Sequence, residues 1–169
     1  QLVLGMSVAT AVLAGAAHDD KHFEWQHANF DLLTGLANRH RFQEQLEHEL
    51  LRATRTQQPM ALMYIDLDGF TAVNDRLGHH AGDLLLRQVA GRLSEGVRET
   101  DIVARLGGDE FAIIRPDLKE LAIIDRNGYK LLDQLRQAFD LHGQSAHISA
   151  SIGVAIWPRD GRTSTELVH

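Results

Sequence analysis

Two glycines followed by two carboxylates, Gly107-Gly108-Asp109-Glu110, stand between two short apolar runs of the sequence. We predict a strand over residues 103–106, a second over 111–114, and a tight turn at the glycines, which adopt positive φ without steric cost. The carboxylates would then lie at the tip of a hairpin, where they could hold a divalent cation together with a nucleotide triphosphate. Taken alone, the segment is equally compatible with an ordinary hairpin that carries acidic residues at its tip.

A second group of carboxylates follows a predicted central strand over residues 60–65. The segment Asp66-Leu67-Asp68-Gly69-Phe70 places Asp66 at the end of that strand, with irregular backbone after it. Because magnesium prefers oxygen ligands, Asp66 and a backbone carbonyl could supply part of its shell, and Asp109 or Glu110 the rest. Carboxylates on two neighbouring strands would resemble polymerases, in which two metals clamp the attacking and leaving oxygens. The alternative is that Asp66 and Asp68 only form a turn.

Asn74 and Asp83 flank the glycine-containing segment Gly78-His79-His80-Ala81-Gly82, which we predict to be a loop. A carboxylate can accept hydrogen bonds from N1–H and N2–H of guanine, and an amide can donate to O6. The pair is therefore a candidate guanine-binding site. The alternative is that Asp83 caps a helix that begins at Leu84, and the two roles are compatible.

The rest of the sequence supplies elements that could position these residues. Apolar periodicity and turn residues predict a helix from Asn38 to Gln57-Gln58-Pro59, a helix over 83–97, a helix over 118–139 weakened at Asn127-Gly128, a hairpin turn at His142-Gly143-Gln144, and a strand over 148–157. Alternating helices and strands indicate an α/β or α+β domain.

The composition is that of a soluble globular domain of ordinary size. The 169 residues are 44% hydrophobic and 24% charged, with a net charge of −6. This charge argues against a broad nucleic-acid surface, which would require a basic face. The absence of cysteine excludes disulfides, thiolate metal sites and a cysteine nucleophile, and it fits a reducing compartment.

The N-terminus differs from the remainder. Residues 2–17 are nearly all apolar or small, and they lack the charged start of a signal peptide. At about 16 residues the segment is shorter than the roughly 20 that span a bilayer. It is either the end of a transmembrane helix or a buried or partner-packing helix. We expect the polar segment 18–22 to be a solvated linker, with a metal site at His18 and His22 as the alternative.

Together these motifs resemble the GGDEF domain, the catalytic domain of bacterial diguanylate cyclases. The resemblance spans roughly residues 27–160, in the order and spacing of the family. Its matching segments are Asp31-Leu32-Leu33-Thr34-Gly35-Leu36-Ala37-Asn38-Arg39, Asp66 to Phe70, Asn74-Asp75, Gly78-His79, Gly82-Asp83, Gly107 to Phe111, and Ser149-Ala150-Ser151-Ile152-Gly153-Val154-Ala155. We accordingly assign residues 1–26 to an apolar segment and linker, and 27–169 to the domain.

The resemblance implies a central, mostly antiparallel five-stranded sheet wrapped by helices, related to the polymerase palm and the nucleotidyl cyclases. It implies that two domains face each other in a homodimer, each holding one GTP. Each 3′-hydroxyl would attack the α-phosphate held by the other domain, giving cyclic di-GMP and two pyrophosphates. Such chemistry needs positioning and charge neutralisation more than covalent catalysis.

Residue roles follow from the resemblance position by position. Asp66, the Leu67 carbonyl and Asp109 would bind Mg²⁺ or Mn²⁺, Asp109 would be the base for the 3′-hydroxyl, and Glu110 would support the same metal site. Residues expected to contact GTP are Phe70, Asn74, Asp83, Gly107 and Gly108.

Arg98-Glu99-Thr100-Asp101 lies at the position of the family's product-inhibition site. Arg98 could form a forked contact with a phosphate or with the Hoogsteen edge of guanine, and Asp101 could accept from guanine. In isolation, an Arg-x-x-Asp pattern is usually a surface ion pair.

The chain also departs from the family in two places. Thr71 replaces the usual lysine after Phe70, and residues 166–169 stand where the family begins an alanine-rich helix with phosphate-binding basic residues. We therefore expect the chain to lack its final helix. A lost positive charge at the phosphates would slow turnover.

Three functional hypotheses follow. The first is an active diguanylate cyclase in the bacterial cytoplasm or at the cytoplasmic face of the inner membrane. The second is a weak or inactive module that binds GTP or cyclic di-GMP and regulates a neighbour. The segment 140–143 resembles versions that precede an EAL phosphodiesterase domain. The third is a membrane-tethered interaction domain with vestigial motifs, which the retained metal and guanine residues disfavour.

Overall fold

The structure, a computed structural model, describes residues 19–168, in which helices and strands alternate. Its helices are α1 (residues 19–29), α2 (Arg39–Thr56), α3 (Phe70–Leu77), α4 (His79–Glu95), α5 (Ala122–Arg136) and α6 (Ser164–Val168). Its strands are β1 (Met60–Asp68), β2 (Ile102–Gly107), β3 (Glu110–Arg115), β4 (Phe139–Leu141), β5 (Gln144–Ala146) and β6 (Ser149–Trp157).

The main sheet has the strand order β2-β3-β1-β6, and each neighbouring pair is antiparallel. The predicted antiparallel sheet wrapped by helices is thereby confirmed. The number of strands differs from the five expected, because within residues 19–168 the main sheet has four. Strands β4 and β5, of three residues each, pair only with one another in a separate hairpin. Its turn at His142 and Gly143, both at positive φ, lies where the sequence predicted one.

Helices cover both faces of the main sheet, and the residues of β1 contribute to the core on each face. Its residues Met63, Ile65 and Leu67 belong to the cluster that packs with α3, α4 and α5. Its residues Met60 and Leu62 belong to the cluster on the opposite face, with α2 and α6. Since side chains alternate along a strand, the face of each residue is set by its parity. The even-numbered residues face α2, and at the C-terminal end of β1 the even-numbered Asp66 and Asp68 are exposed while Leu67 stays buried.

Helix α2 begins as predicted, with Asn38 as its N-cap. The Asn38 side chain accepts a hydrogen bond from the backbone N–H of Arg41 at 2.9 Å, which satisfies one of the unpaired donors at the helix start. The expectation of a solvated linker before the domain was wrong in part, because residues 19–29 are helical. His22 is exposed on that helix, and His18 lies outside the described residues.

Three further predictions of helix boundaries were wrong. The backbone after Asp68 is helix α3 rather than irregular, and α4 begins at His79, four residues before the predicted start. Helix α5 is shorter than predicted, and Gly128 does not interrupt it. Buried Ile124, Leu131 and Leu135 hold its inner face to the core, so packing outweighs the low helix propensity of one glycine.

No helix within residues 19–168 is long and apolar enough to cross a membrane. The apolar segment 2–17 lies outside the described residues, and both interpretations of it stay predictions.

Arg92 of α4 closes the C-terminal end of α5. Its guanidinium donates to the carbonyls of Gln134, Gln137 and Ala138 at 2.9, 2.7 and 2.7 Å. The same group lies 3.5 Å from the centroid of the Phe139 ring. We expect Arg92→Met to lower the free energy of unfolding by about 3 kcal/mol, because three carbonyls lose a charged donor and the cation–π contact disappears. Urea denaturation followed by circular dichroism measures this loss.

Arg87 provides the control on the same helix, since among the described residues its side chain makes one hydrogen bond, to the carbonyl of Leu33, which is 3.3 Å long and exposed. The Arg87→Met variant should lose less than about 1 kcal/mol. Equal losses in the two variants would contradict the role given to Arg92.

Candidate active site

The end of β1 and the tip of the β2–β3 hairpin lie side by side, as the sequence predicted. Asp66 is the register partner of Glu110 in the β1–β3 pair. One residue further along, the backbone N–H of Leu67 donates to the carbonyl of Asp109 at 3.2 Å. Asp66 and Glu110 are exposed and Asp109 is partly exposed. The end of β1 and the hairpin tip therefore bring Asp66, Asp109 and Glu110 to one accessible edge of the sheet.

The turn itself is formed by Gly108 and Asp109, with Gly107 as the last residue of β2. Gly107 has φ +136° and Gly108 has φ +51°, backbone conformations that residues other than glycine rarely adopt. The register of the β2–β3 pair shifts between Arg105 and Gly107, which is a β-bulge next to the turn. The two carboxylates, Asp109 and Glu110, follow directly after this bulge.

Arg105 holds the turn through hydrogen bonds from its side chain, a role that the sequence analysis missed. Its Nε and Nη2 donate to the carbonyl of Gly108 at 3.0 and 2.8 Å. Its Nη1 lies 3.0 Å from the carboxylate of Asp31, which also accepts from the backbone N–H and hydroxyl of Thr34 at 2.9 and 2.6 Å. The Asp31 to Arg39 motif thus acts through Arg105 on the shape of the hairpin.

The Asp31 carboxylate should make the stability of the domain depend on pH. Burial raises its pKa, but hydrogen bonds from Thr34 and Arg105 and the charge of Arg105 outweigh burial and lower it below the ordinary value of 3.8. Between the lowered pKa and the ordinary value, the Asp31 carboxyl therefore binds fewer protons in the folded state than in the unfolded chain. The stabilisation is fully present well above the ordinary value of 3.8 and is lost as the pH falls through the lowered pKa.

We expect the stability difference between the wild type and Asp31→Asn to be constant above about pH 5 and to shrink below about pH 4. Urea denaturation of both proteins across this range measures it. A difference that stayed constant down to about pH 2, or grew, would contradict the assigned pKa shift.

The oxygen ligands at this edge fit a hard divalent cation. Within residues 19–168, no cluster of three or more His, Asp or Glu side chains is arranged to hold a metal ion alone. Mg²⁺ is usually held by one or two carboxylates together with waters and substrate phosphates, and Mn²⁺ accepts the same ligands. Asp68 is separate from this set, because its carboxylate accepts from the hydroxyls of Ser149 and Ser151 at 3.3 and 3.2 Å.

Arg39 lies beside these carboxylates, although the motif analysis gave it no role. Its Nε donates to the carbonyl of Leu106 at 3.1 Å, and its Nη2 lies 3.6 Å from the carboxylate of Glu110. The side chain is 68% exposed, and it lines a cavity of about 350 Å³ together with Tyr64, Asp66 and Glu110. One edge of its guanidinium is anchored to the Leu106 carbonyl, and the group lies beside Glu110.

Asn74 and Asp83 come from two helices that pack against each other, α3 and α4. Asn74 Oδ1 is buried and has no hydrogen-bond partner among the residues described. It lies directly against Gly82, where a Cβ atom would be 1.8 Å from it. Asp83 follows within the same turn of α4 and is partly exposed. The structure therefore places Asn74 against the residue that precedes Asp83.

The details of this pair correct two expectations. Asp83 does not cap the helix, because α4 starts at His79 with Gly78 as its N-cap. The predicted loop 78–82 is reduced to Gly78, at φ +90°, whose N–H donates to the carbonyl of Asn74 at 2.8 Å. Gly82 contributes close packing inside a helix, not a flexible loop. Phe70 is half-buried at the start of α3.

Arg98 and Asp101 also meet, in the connection between α4 and β2. Arg98 Nη2 donates to the carboxylate of Asp101 at 2.9 Å and to the carbonyl of Pro116 at 2.7 Å. A third residue, Arg115 at the end of β3, binds the same carboxylate at 2.6 Å. No motif indicated Arg115, because it lies 14 residues away along the chain.

This set of strand-end carboxylates, paired helices and an Arg-x-x-Asp connection can be compared with known proteins. A profile described as diguanylate cyclase, GGDEF domain, matches residues 28–169 of the chain. The chain belongs to the GGDEF domain family. The resemblance seen in its motifs is thereby confirmed, over nearly the whole of the assigned domain.

Curated relatives place this GGDEF domain among proteins of cyclic di-GMP signalling. It is 40% identical over 163 residues to the bifunctional diguanylate cyclase/cyclic di-GMP phosphodiesterase MucR of Pseudomonas aeruginosa, covering 96% of this chain and 24% of MucR. It is 38% identical over 143 residues to the diguanylate cyclase TpbB of the same species, covering 84% of this chain and 33% of TpbB. The chain thus spans a quarter to a third of the length of these relatives.

Solved structures agree on the fold. The GGDEF domain of TpbB from Pseudomonas aeruginosa superposes with a TM-score of 0.80 at 38% identity, covering 83% of this chain and 82% of that one. A sensory box/GGDEF family protein from Caulobacter crescentus superposes with a TM-score of 0.78 at 37% identity, covering 83% and 91%. The sheet and helices described above are therefore those of solved GGDEF domains.

Proposed function

We propose that this GGDEF domain is a diguanylate cyclase, which condenses two GTP molecules into cyclic di-GMP and two pyrophosphates. The observation that carries the proposal is the meeting of Asp66 with the Asp109-Glu110 tip across β1 and β3. Family membership and the activity named for MucR and TpbB support it. Two copies of the domain must face each other, because each contributes one GTP.

The guanine base would be held by α3 and α4. The Asp83 carboxylate accepts from N1–H and N2–H of guanine, and the NH2 group of the Asn74 amide donates to O6. Phe70 at the start of α3 packs on the nucleoside. The backbone of Gly107 and Gly108, which carry no Cβ, allows the phosphates to approach the hairpin.

The strand-end carboxylates would carry the chemistry. Asp66, the Leu67 carbonyl and Asp109 hold Mg²⁺ or Mn²⁺, which when bound neutralises phosphate charge and polarises the phosphoryl oxygens. Asp109 accepts the proton of the 3′-hydroxyl, and Glu110 orients the metal-binding edge through its position opposite Asp66. The residues act mainly by positioning and electrostatics, as phosphoryl transfer requires.

Arg39 would supply positive charge at the phosphates. Thr71 offers no charge where the family usually has lysine, and a preorganised cation near developing negative charge accelerates such reactions. The Arg39 guanidinium is anchored by Leu106 and lies next to Glu110. It is therefore placed to contact the triphosphate at the same edge.

Product inhibition is the second part of the proposal. Arg98 lies at the position of the family's inhibitory site and presents a half-exposed guanidinium. Cyclic di-GMP bound there would limit its own synthesis.

A second candidate is a regulatory module that binds GTP or cyclic di-GMP without turnover and controls an adjacent EAL phosphodiesterase domain. Thr71 favours it, as does the likeness to relatives named as phosphodiesterases, MucR and NbdA. Incubation with GTP and Mg²⁺, followed by chromatography, separates the two candidates. Cyclic di-GMP as product supports the cyclase. Absence of product, with cyclic di-GMP still binding in a titration, would overturn the cyclase in favour of the module.

A further inference from the structure

The end of β1 lies between β3 and β6, and the two neighbouring strands present different chemistry to Asp66. On one side its register partner is Glu110 of β3, a second carboxylate. On the other side its register partner is Ser151 of β6, a hydroxyl donor. Residues directly opposite each other on antiparallel strands lie on the same face of the sheet. The Asp66 carboxylate therefore has a like charge towards the hairpin and a hydrogen-bond donor towards β6.

The end of β1 depends on β6 for its position. The pairing with β3 ends at Asp66, whereas the pairing with β6 continues to Asp68, opposite Ser149. The backbone N–H of Leu67, which donates to the carbonyl of Asp109 at 3.2 Å, is the remaining link to the hairpin. Two carboxylates that alternate with a buried leucine on β1 therefore lie opposite two hydroxyls that alternate with a buried alanine on β6.

The Ser151 hydroxyl binds Asp68 and not its own register partner. It donates diagonally across the strands to Asp68 Oδ2 at 3.2 Å, and Ser149 donates to the same oxygen at 3.3 Å. Among the residues that the structure describes, no donor forms a hydrogen bond with the carboxylate of Asp66. Asp68 thus occupies both hydroxyls, and the oxygens of Asp66 stay available.

We infer that Asp68 is a positioning residue for the proposed metal site, because it holds the Ser151 hydroxyl and so keeps the Asp66 carboxylate free for the metal. The inference rests on the metal site of the proposed function. It assigns no metal contact to Asp68 itself. Its content is that a second acceptor on β1 prevents a hydroxyl on β6 from competing for the first.

The direction in which Asp66 would be drawn gives this arrangement its effect. A hydrogen bond from Ser151 would draw the Asp66 carboxylate towards β6, whereas the hairpin tip lies on the β3 side. Like charges directly opposite each other on a sheet repel, so Glu110 favours the same displacement. The exposed Arg39, 3.6 Å from Glu110, offsets this repulsion weakly, as is usual for surface ion pairs. Loss of Asp68 therefore releases a donor that competes with the metal for Asp66.

The test is calorimetric titration with a GTP analogue that has a methylene group in place of the α,β-bridging oxygen and so cannot release pyrophosphate. Each protein is titrated once with Mn²⁺ and once with EDTA, and the ratio of the two affinities measures the contribution of the metal. Asp68→Ala should lower this ratio by about tenfold, the lower end of the cost of losing a group that orients a metal ligand. The affinity in EDTA should stay unchanged, because the guanine pair is intact.

Three further variants separate the possible causes. Asp68→Asn keeps an oxygen that accepts from Ser151 but loses the charge, so its ratio should stay within about threefold of the wild type. Adding Ser151→Ala to Asp68→Ala removes the released donor and should restore the ratio to the same range. Adding Ser149→Ala to Asp68→Ala is the matched control, because Ser149 lies opposite Asp68 and not opposite Asp66. Its ratio should stay about tenfold below that of the wild type.

Equal losses in Asp68→Asn and Asp68→Ala would overturn the inference, because the charge of Asp68 would then act on the metal directly. Equal recovery in the two double variants would also overturn it, as would a wild-type ratio in Asp68→Ala that circular dichroism shows to be folded. If the wild type bound the analogue equally with Mn²⁺ and with EDTA, the metal assignment would fail together with the inference. A metal-dependent wild type with unchanged ratios in every variant would overturn the inference alone.

Discussion

Asp109→Ala and Asp66→Ala are each expected to lower magnesium-dependent turnover of GTP by about a thousandfold or more. Asp66 reaches this edge from β1 and Asp109 from the turn that precedes β3, where the register pairs Asp66 with Glu110 and the Asp109 carbonyl accepts from Leu67 N–H. Removing either one takes away a proposed metal ligand, and the described residues contain no cluster of three or more metal-binding side chains that could replace it. Initial rates of cyclic di-GMP formation measure the loss.

Asp133→Asn is the matched control, because it removes one carboxylate charge from an exposed position on α5 whose closest cation is 4.0 Å away. It should keep the wild-type rate. Binding of GTP without metal should survive in Asp109→Ala and Asp66→Ala, because the guanine pair is intact. Turnover within tenfold of the wild type in either alanine variant would refute the metal assignment.

The second large effect is expected from Gly82→Ala, a change of one methyl group. The new Cβ would lie 1.8 Å from Asn74 Oδ1 and 2.8 Å from its Cγ, so the Asn74 side chain must leave its position in the proposed guanine site or the two helices must separate. Misplacement of a binding group by about 1 Å can cost a hundredfold in rate. We expect kcat/KM for GTP to fall by about that factor, and the preference for GTP over ATP, which carries an amino group in place of O6, to shrink.

Gly91→Ala on the same helix isolates the cause. At Gly91 a Cβ would meet nothing within 4 Å, and the position is exposed. Alanine there should raise the stability by about 0.5–1 kcal/mol and leave kcat/KM unchanged. Steady-state kinetics and urea denaturation of both variants give the comparison. Wild-type kcat/KM in Gly82→Ala would remove α3 and α4 from the account of guanine binding.

The strands and the hairpin could be predicted because their signals are local. One apolar run ends at Asp66, another begins at Phe111, and glycines lie at the turn. Once the order of the motifs is considered, few other secondary structures fit these segments. The boundaries of α3 and α4 could not be predicted in the same way. Gly78 and Gly82 look alike in sequence. Only the folded structure shows that Gly82 lies inside a helix, where the Asn74 side chain leaves no room for a Cβ atom.

The residues that support the site were missed because their partners are distant in sequence. Arg39 binds a carbonyl 67 residues away, and Arg105 binds a carboxylate 74 residues away. Arg115 meets Asp101 only through the antiparallel β2–β3 pair. The sequence spacing around an arginine on a strand or at a helix start does not indicate which residue it will bind, so the roles of these arginines follow only from the folded structure.

The most direct measurement is the stoichiometry of the reaction, followed at several protein concentrations with GTP and Mg²⁺. We expect two pyrophosphates for each cyclic di-GMP, and a rate per chain that rises with protein concentration because two domains must meet. Asp109→Ala should give neither product. Formation of GDP and inorganic phosphate, or binding of GTP with no product at any protein concentration, would contradict the assignment of this domain as a diguanylate cyclase.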